Sequence, residues 1–123
     1  MKTVATENAP KAIGPYSQAI EVNGFVFASG QIPINPAAGK IEATTIEEQA
    51  EQACKNVKAI MEAAGTSVDK VVKTTCLLAD IKDFAAFNKV YEKYFVSKPA
   101  RSCFAVKDIP AGALVEIEAI AEK

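Results

Sequence analysis

The sequence predicts an α+β fold: one mixed β-sheet with two α-helices packed on one of its faces. Three observations carry this. The order of elements runs strand, hairpin, helix, strand, helix, then two strands; the two helical stretches have apolar residues at three- and four-residue spacing; and the last strand alternates apolar with acidic residues. With 123 residues, half of them apolar, the chain can form one core and is too short for two, so residues 1–123 are read as a single domain.

The first element is a short edge strand within Thr3 to Thr6, followed by a loop at Gly14-Pro15-Tyr16-Ser17. Gln18 to Val22 and Phe25 to Ser29 flank Asn23-Gly24, the turn dipeptide of a tight hairpin. Gln31 to Thr44, broken by Pro33, Pro36 and Gly39, reads as a connecting loop. Thr45-Ile46-Glu47-Glu48 has the spacing of a capping box, and the helix it opens carries Ile46, Ala50, Ala53, Val57, Ile60, Met61 and Ala64 on one face before Gly65 stops it.

Val68 to Ala79 is rich in valine, threonine and leucine, and within it Val71 to Leu78 reads as a central strand. Asp80 is expected to cap a second helix that buries Phe84, Phe87, Tyr91, Tyr94 and Phe95 and ends before Ser97-Lys98-Pro99. Two strands, Arg101 to Val106 and Leu114 to Ala121, complete the chain. With both helices on one face, the other face stays open, and an apolar open face in so small a domain predicts self-association.

Composition narrows the chemistry. The chain has no histidine, which excludes Ser-His-Asp triads, Cys-His dyads and His-ligated metals, and leaves a carboxylate as the natural general base. Cys54, Cys76 and Cys103 are an odd number, widely spaced, and suggest buried thiols without a disulfide framework or zinc site. Fourteen basic against 15 acidic side chains, with the lysines scattered, give no footprint for a nucleic-acid backbone. No apolar run approaches the ~18 residues of a membrane span and the N-terminus has no apolar signal core, so a cytoplasmic protein without a membrane partner is expected.

Every basic residue except Arg101 is a lysine. A single guanidinium set among small and apolar neighbours in Pro99-Ala100-Arg101-Ser102-Cys103-Phe104 suits a planar fork for a carboxylate or phosphate, or else a structural ion pair at a strand end. In the last strand Glu116 and Glu118 share a face, opposite Val115, Ile117, Ala119 and Ala121. If the last two strands lie side by side, Arg101 and a carboxylate of that face make a bipolar site for a small zwitterion or an α-keto or α-imino acid; a buried salt bridge between Arg101 and a glutamate is the alternative, and spacing does not choose. Ser29-Gly30 offers a close backbone approach, Tyr16 a hydroxyl, and Asn88 a polar group on the inward seam of the second helix.

These blocks are similar to the RidA/YjgF family, the reactive intermediate (imine) deaminases. The resemblance lies in Ala12-Ile13-Gly14-Pro15-Tyr16-Ser17-Gln18-Ala19, Ser29-Gly30-Gln31-Ile32-Pro33, the helix from Glu48 through Asn56 to Ala64, Asp83-Phe84 with Asn88 and Tyr91, and Pro99-Ala100-Arg101-Ser102-Cys103 with Val115-Glu116-Ile117-Glu118. It implies a chorismate-mutase-like fold, a homotrimer with sites in the clefts between subunits, and no cofactor or metal. It implies hydrolysis of 2-imino acids such as 2-iminobutanoate and 2-iminopropanoate, the imines released by pyridoxal-phosphate-dependent dehydratases, to 2-keto acids and ammonia. By the same resemblance Arg101 binds the carboxylate and Glu116 orients water, with supporting contacts from Tyr16, Ser29, Gly30, Asn88 and the backbone of Cys103. Two other roles stay open: a non-catalytic regulatory module that binds a small carboxylate, and, less in keeping with the charge balance and the missing histidine, an endoribonuclease or translation inhibitor.

Overall fold

The computed structural model describes residues 1–123. Eight strands and two α-helices run in the order β1 (Lys2–Val4), β2 (Ala19–Val22), β3 (Phe25–Gln31), β4 (Ile34–Asn35), β5 (Lys40–Ile41), α1 (Ile46–Ala63), β6 (Val71–Leu78), α2 (Phe84–Tyr94), β7 (Ala100–Ala105) and β8 (Val115–Glu122). Six strands form one sheet in the order β1-β2-β3-β8-β6-β7, antiparallel except for the parallel pair β6 and β7. Neither helix is apolar enough to cross a membrane.

Local signals in the chain explain most of these elements. Asn23 and Gly24 both take positive φ, 51° and 80°, the backbone that lets a two-residue turn follow the strand twist. Thr45 Oγ1 accepts from the Glu48 amide at 3.2 Å and donates to Glu48 Oε1 at 3.0 Å, so the two side chains of the capping box bond to each other at the start of α1. At the other end Thr66 N–H reaches the Met61 carbonyl and Gly65 N–H the Glu62 carbonyl, with Gly65 at φ 82°.

Both helices are crossovers between strands of like direction, and both lie on the same face. Their apolar stripes meet the inner rows of the sheet in a single core that includes Val57, Ile60 and Met61 of α1, Phe87 and Tyr91 of α2, and Val115, Ile117, Ala119 and Ala121 of β8. The opposite face carries no helix, and Phe25, Phe27 and Phe104 are exposed there at 41%, 42% and 47%. Buried amides tie the loops to this frame. Asn56 Nδ2 donates to the carbonyls of Ile32 and Ile34 at 3.1 and 3.0 Å, and Gln18 Nε2 donates to those of Thr6, Ala9 and Pro10.

Several expectations are corrected. The last two strands are not neighbours: β6 lies between them, and β7 is the sheet edge. The inner row of β8 is fully buried and needs partners on both sides, whereas β7 has no buried residue. Gln31 to Thr44 is not wholly loop, since β4 and β5 form a small hairpin there. Asp80 accepts from the Lys82 amide at 2.9 Å and so caps a 3-10 turn, Ile81–Asp83, that precedes α2. Phe84 is exposed at the start of α2 and Tyr94 is only half-buried, while Val90 joins the core. Cys54 and Cys76 are buried, but Cys103, on the edge strand, is only half-buried.

Replacing Asn56 by alanine leaves two buried carbonyls without their donor. The expected loss of unfolding free energy is about 2 kcal/mol, read by urea denaturation at fixed protein concentration, and a loss below about 0.5 kcal/mol would mean the loop is held by other contacts.

Candidate active site

The sheet order divides the predicted site residues into two groups on opposite faces. Tyr16, Ser29, Gly30 and Glu116 line one cleft of about 410 Å³, with Ile13, Ile32 and Pro110 supplying apolar walls. Ser29 and Gly30 sit where the register of β3 against β8 shifts, between the pairs Ala28 with Ala119 and Gln31 with Ile117. A bulge of this kind re-aims side chains and opens backbone to a ligand. Ser29 is fixed there: its Oγ donates to the Ser17 carbonyl at 2.6 Å and its amide to the Gln18 carbonyl at 2.9 Å. Tyr16 is held over the cleft from the N-terminal loop, its hydroxyl accepting from the Ile13 amide at 3.2 Å.

Gly30 is there for space. A Cβ at this position would stand 2.8 Å from Glu116 Cδ and closer still to Oε2, so only glycine lets the carboxylate lie against the bulge. Burial pushes the Glu116 carboxyl above its ordinary range, and the negative charge of Glu118, two residues along the same face, pushes it further the same way. Both effects make it a better proton acceptor than a solvated glutamate.

The second group surrounds Arg101. Its register partner on β6 is Thr74, which pairs in turn with Ala119 on the helix-facing side, so the guanidinium points towards α2. Arg101 Nη1 donates to Asn88 Oδ1 at 2.8 Å. The guanidinium carbon lies 4.8 Å from the centre of the Tyr91 ring and 5.5 Å from that of Phe84. Cys103 points to the same side, two residues on; burial raises its pKa against the opposing pull of Arg101, so the thiol is kept protonated.

Arg101 and Glu116 therefore do not face each other within one chain. They stand two strand spacings apart, about 10 Å across the sheet, and on opposite faces. The buried salt bridge weighed above is absent too, because the one ion pair in the molecule joins Lys123 to Glu21. Beyond the predicted residues, the structure adds the apolar walls Ile13, Ile32 and Pro110 to the cleft and the rings of Phe84 and Tyr91 beside the guanidinium. Their signal was present: Phe84, Asn88 and Tyr91 recur at four and three residues along α2, a single helical stripe, but aromatic residues at that spacing read first as core.

The sequence profile of the endoribonuclease L-PSP family matches residues 6–123. The 2-iminobutanoate/2-iminopropanoate deaminase of Escherichia coli strain K12 is 49% identical over 124 residues, an alignment covering 98% of this chain and 96% of that one. The crystal structure of the YjgF gene product from E. coli superposes with a TM-score of 0.95 at 46% identity, covering 100% of this chain and 99% of that one. E. coli TdcF, in a crystal structure with bound serine, gives a TM-score of 0.95 at 42% identity with the same coverage of 100% and 99%. This chain belongs to the endoribonuclease L-PSP family, which is the RidA/YjgF family that its sequence resembles.

Proposed function

We propose that this protein is a hydrolytic deaminase of small 2-imino acids, working as a homotrimer in which each site joins the Arg101 group of one copy to the Glu116 group of the next. The observation that carries this reading is the unpaired guanidinium. Arg101 is held by neutral groups alone, so its charge and most of its donors are left for an anion, while Glu116 waits in a separate cleft with its carboxyl made more basic. A 49% identical relative named as a 2-iminobutanoate/2-iminopropanoate deaminase supports the substrate class, and the serine bound to TdcF supports a ligand with a carboxylate next to a nitrogen-bearing carbon.

Two groups on opposite faces of one chain meet only when another copy brings its own. Such a contact is head-to-tail, and it must close into a ring if it is not to form an open filament. The exposed phenylalanines of the helix-free face give the ring an apolar surface to bury.

In the joined site the substrate carboxylate takes two parallel N–H bonds from Arg101. The iminium carbon next to it is then held in line with a water on Glu116. Glu116 accepts a proton as the water oxygen bonds to that carbon, and the C=N pair moves onto nitrogen to give a carbinolamine. Return of that proton to nitrogen makes ammonia the leaving group. As the C–N bond breaks, Glu116 takes the remaining hydroxyl proton, the C=O bond forms, and the 2-keto acid and ammonia leave while Glu116 passes the proton to solvent. Ile13, Ile32 and Pro110 suit a hydrocarbon substituent beside the reacting carbon. These imines also hydrolyse in water, so orientation and one base are enough for a useful acceleration.

The test generates 2-iminobutanoate with a threonine dehydratase and follows its disappearance. Purified protein is expected to shorten the imine's lifetime, and no effect at any concentration would end this reading. Arg101→Lys should lose most of the activity, at least tenfold in kcat/KM, because a point charge cannot replace the fork; an unchanged rate would make the arginine structural.

The pH profile gives a separate check. Glu116 must be ionised to accept a proton, and its pKa is raised, so kcat/KM should fall as pH drops through a value above the ordinary glutamate range. In Glu118→Gln one cause of the rise is gone, and this acid limb should move to lower pH. Titration of the substrate is common to both proteins and cancels in the comparison, so coincident profiles would show that Glu116 is not the titrating base.

A further inference from the structure

The lone guanidinium is placed by a closed circuit of three elements. Thr74 on β6 stands in register with Arg101 on β7 and is 0% exposed. Its hydroxyl shares a 2.7 Å hydrogen bond with the hydroxyl of Tyr91 on α2. The Tyr91 ring then returns to Arg101, 4.8 Å from the guanidinium carbon. This ring has little freedom to turn, since it also stacks on Phe95 with centroids 4.4 Å apart and 23° between the planes. Phe84, the other flanking ring, is exposed and has no hydroxyl to anchor it.

We propose that Tyr91, locked by Thr74, is a positioning residue that sets the plane of the Arg101 fork for bidentate capture of the substrate carboxylate. The proposal rests on the reading of Arg101 as a carboxylate clamp. Bidentate recognition depends on the plane of the guanidinium as well as on its charge, and a long side chain on an edge strand does not hold a plane unaided. A carboxylate could hold the group but would occupy its fork and cancel its charge. An aromatic face restrains a guanidinium while leaving its in-plane N–H donors free. Asn88 takes one of the five donors. Tyr91 also stays neutral, its pKa pushed up to about 12 by burial, so it brings no competing charge. The tyrosine hydroxyl is thus needed for its bond to the sheet, and the ring for its contact with the arginine.

Because Arg101 is the only arginine, its Nε–H gives a single signal of its own in a 15N-labelled protein. In the wild type this signal should be displaced by ring currents and should show restrained motion. In Tyr91→Leu and Thr74→Val it should move towards the position of free arginine with lower order, and Thr74→Ser, which keeps the hydroxyl, should restore it. Affinity for 2-oxobutanoate, measured by calorimetry, should fall about tenfold in Tyr91→Leu and about threefold in Thr74→Val. In the imine assay KM should rise by the same factors with kcat close to wild type, as expected for a group that holds ground state and transition state alike. If Tyr91→Leu does not fold, Tyr91→Phe and Thr74→Val, which remove only a hydroxyl, decide the matter.

An Arg101 signal unchanged in these variants would overturn the positioning role, and so would a changed signal with unchanged affinity. A wild type that binds 2-oxobutanoate but hydrolyses no imine would remove the deaminase reading and leave the positioning role standing on the signal and the affinity. A wild type that binds no keto acid would remove the positioning role, while the imine assay alone decides the deaminase reading.

Discussion

The insertion of β8 between β3 and β6 governs the rest of the molecule. Val115, Ile117, Ala119 and Ala121 form a row buried almost completely, hydrogen-bonded to strands on both sides and packed under α1 in the core that both helices share. A row of that kind contributes on the order of 1.5–3 kcal/mol for each large apolar side chain buried, and it has no stable place at a sheet edge. The remaining geometry follows. The bulge at Ser29 and Gly30 is a mismatch against β8, Glu116 emerges on the face opposite the buried row, and β7 is displaced to the edge, where none of its residues is fully buried.

That displacement shapes the electrostatics. An edge-strand arginine over a helix would ordinarily be neutralised by a carboxylate on that helix, and this chain has carboxylates in number. The stripe that faces Arg101 instead carries phenylalanine, asparagine and tyrosine. An ion pair here would return its Coulombic gain against a desolvation cost and leave nothing for a ligand, whereas an amide and two ring faces restrain the cation without satisfying it. Glu116 shows the complementary arrangement: burial and a like charge disfavour its ionised form, and no cation of the chain relieves it. Each half of the site is thus held with its main electrostatic need unmet inside its own chain.

The sequence was legible where the physics is local. The Asn23-Gly24 turn, the Thr45 and Glu48 cap, the Gly65 stop and the two-faced alternation of β8 depend on neighbours within a few residues, and all appear in the structure. The second helix was read correctly as amphipathic but began a turn late, because Asp80 is as good a cap for a 3-10 turn as for an α-helix. Strand order was not legible. The short link from Lys107 to Ala113 permits β8 to pair with β7 or to pass over the end of β6, and only the total burial demanded by the β8 row decides between them. The residues proposed for the site were therefore found by type and spacing, while their division between two faces could not be.

That division gives the proposed self-association a chemical meaning beyond burial of surface. A lone chain has a cationic fork with no reacting centre nearby and a base with no substrate anchor, so on the proposed reading neither half is a catalyst. The same separation protects the fold, since Arg101 and Glu116 cannot collapse onto each other in a single chain and consume the charges the reaction needs. Keeping them apart within one chain solves with topology a problem that charge alone would not: two opposite groups, each only half-buried, would otherwise neutralise one another at contact distance. On the proposed reading the apolar open face and the split site serve one assembly, in which a contact that covers Phe25, Phe27 and Phe104 also brings the two halves together.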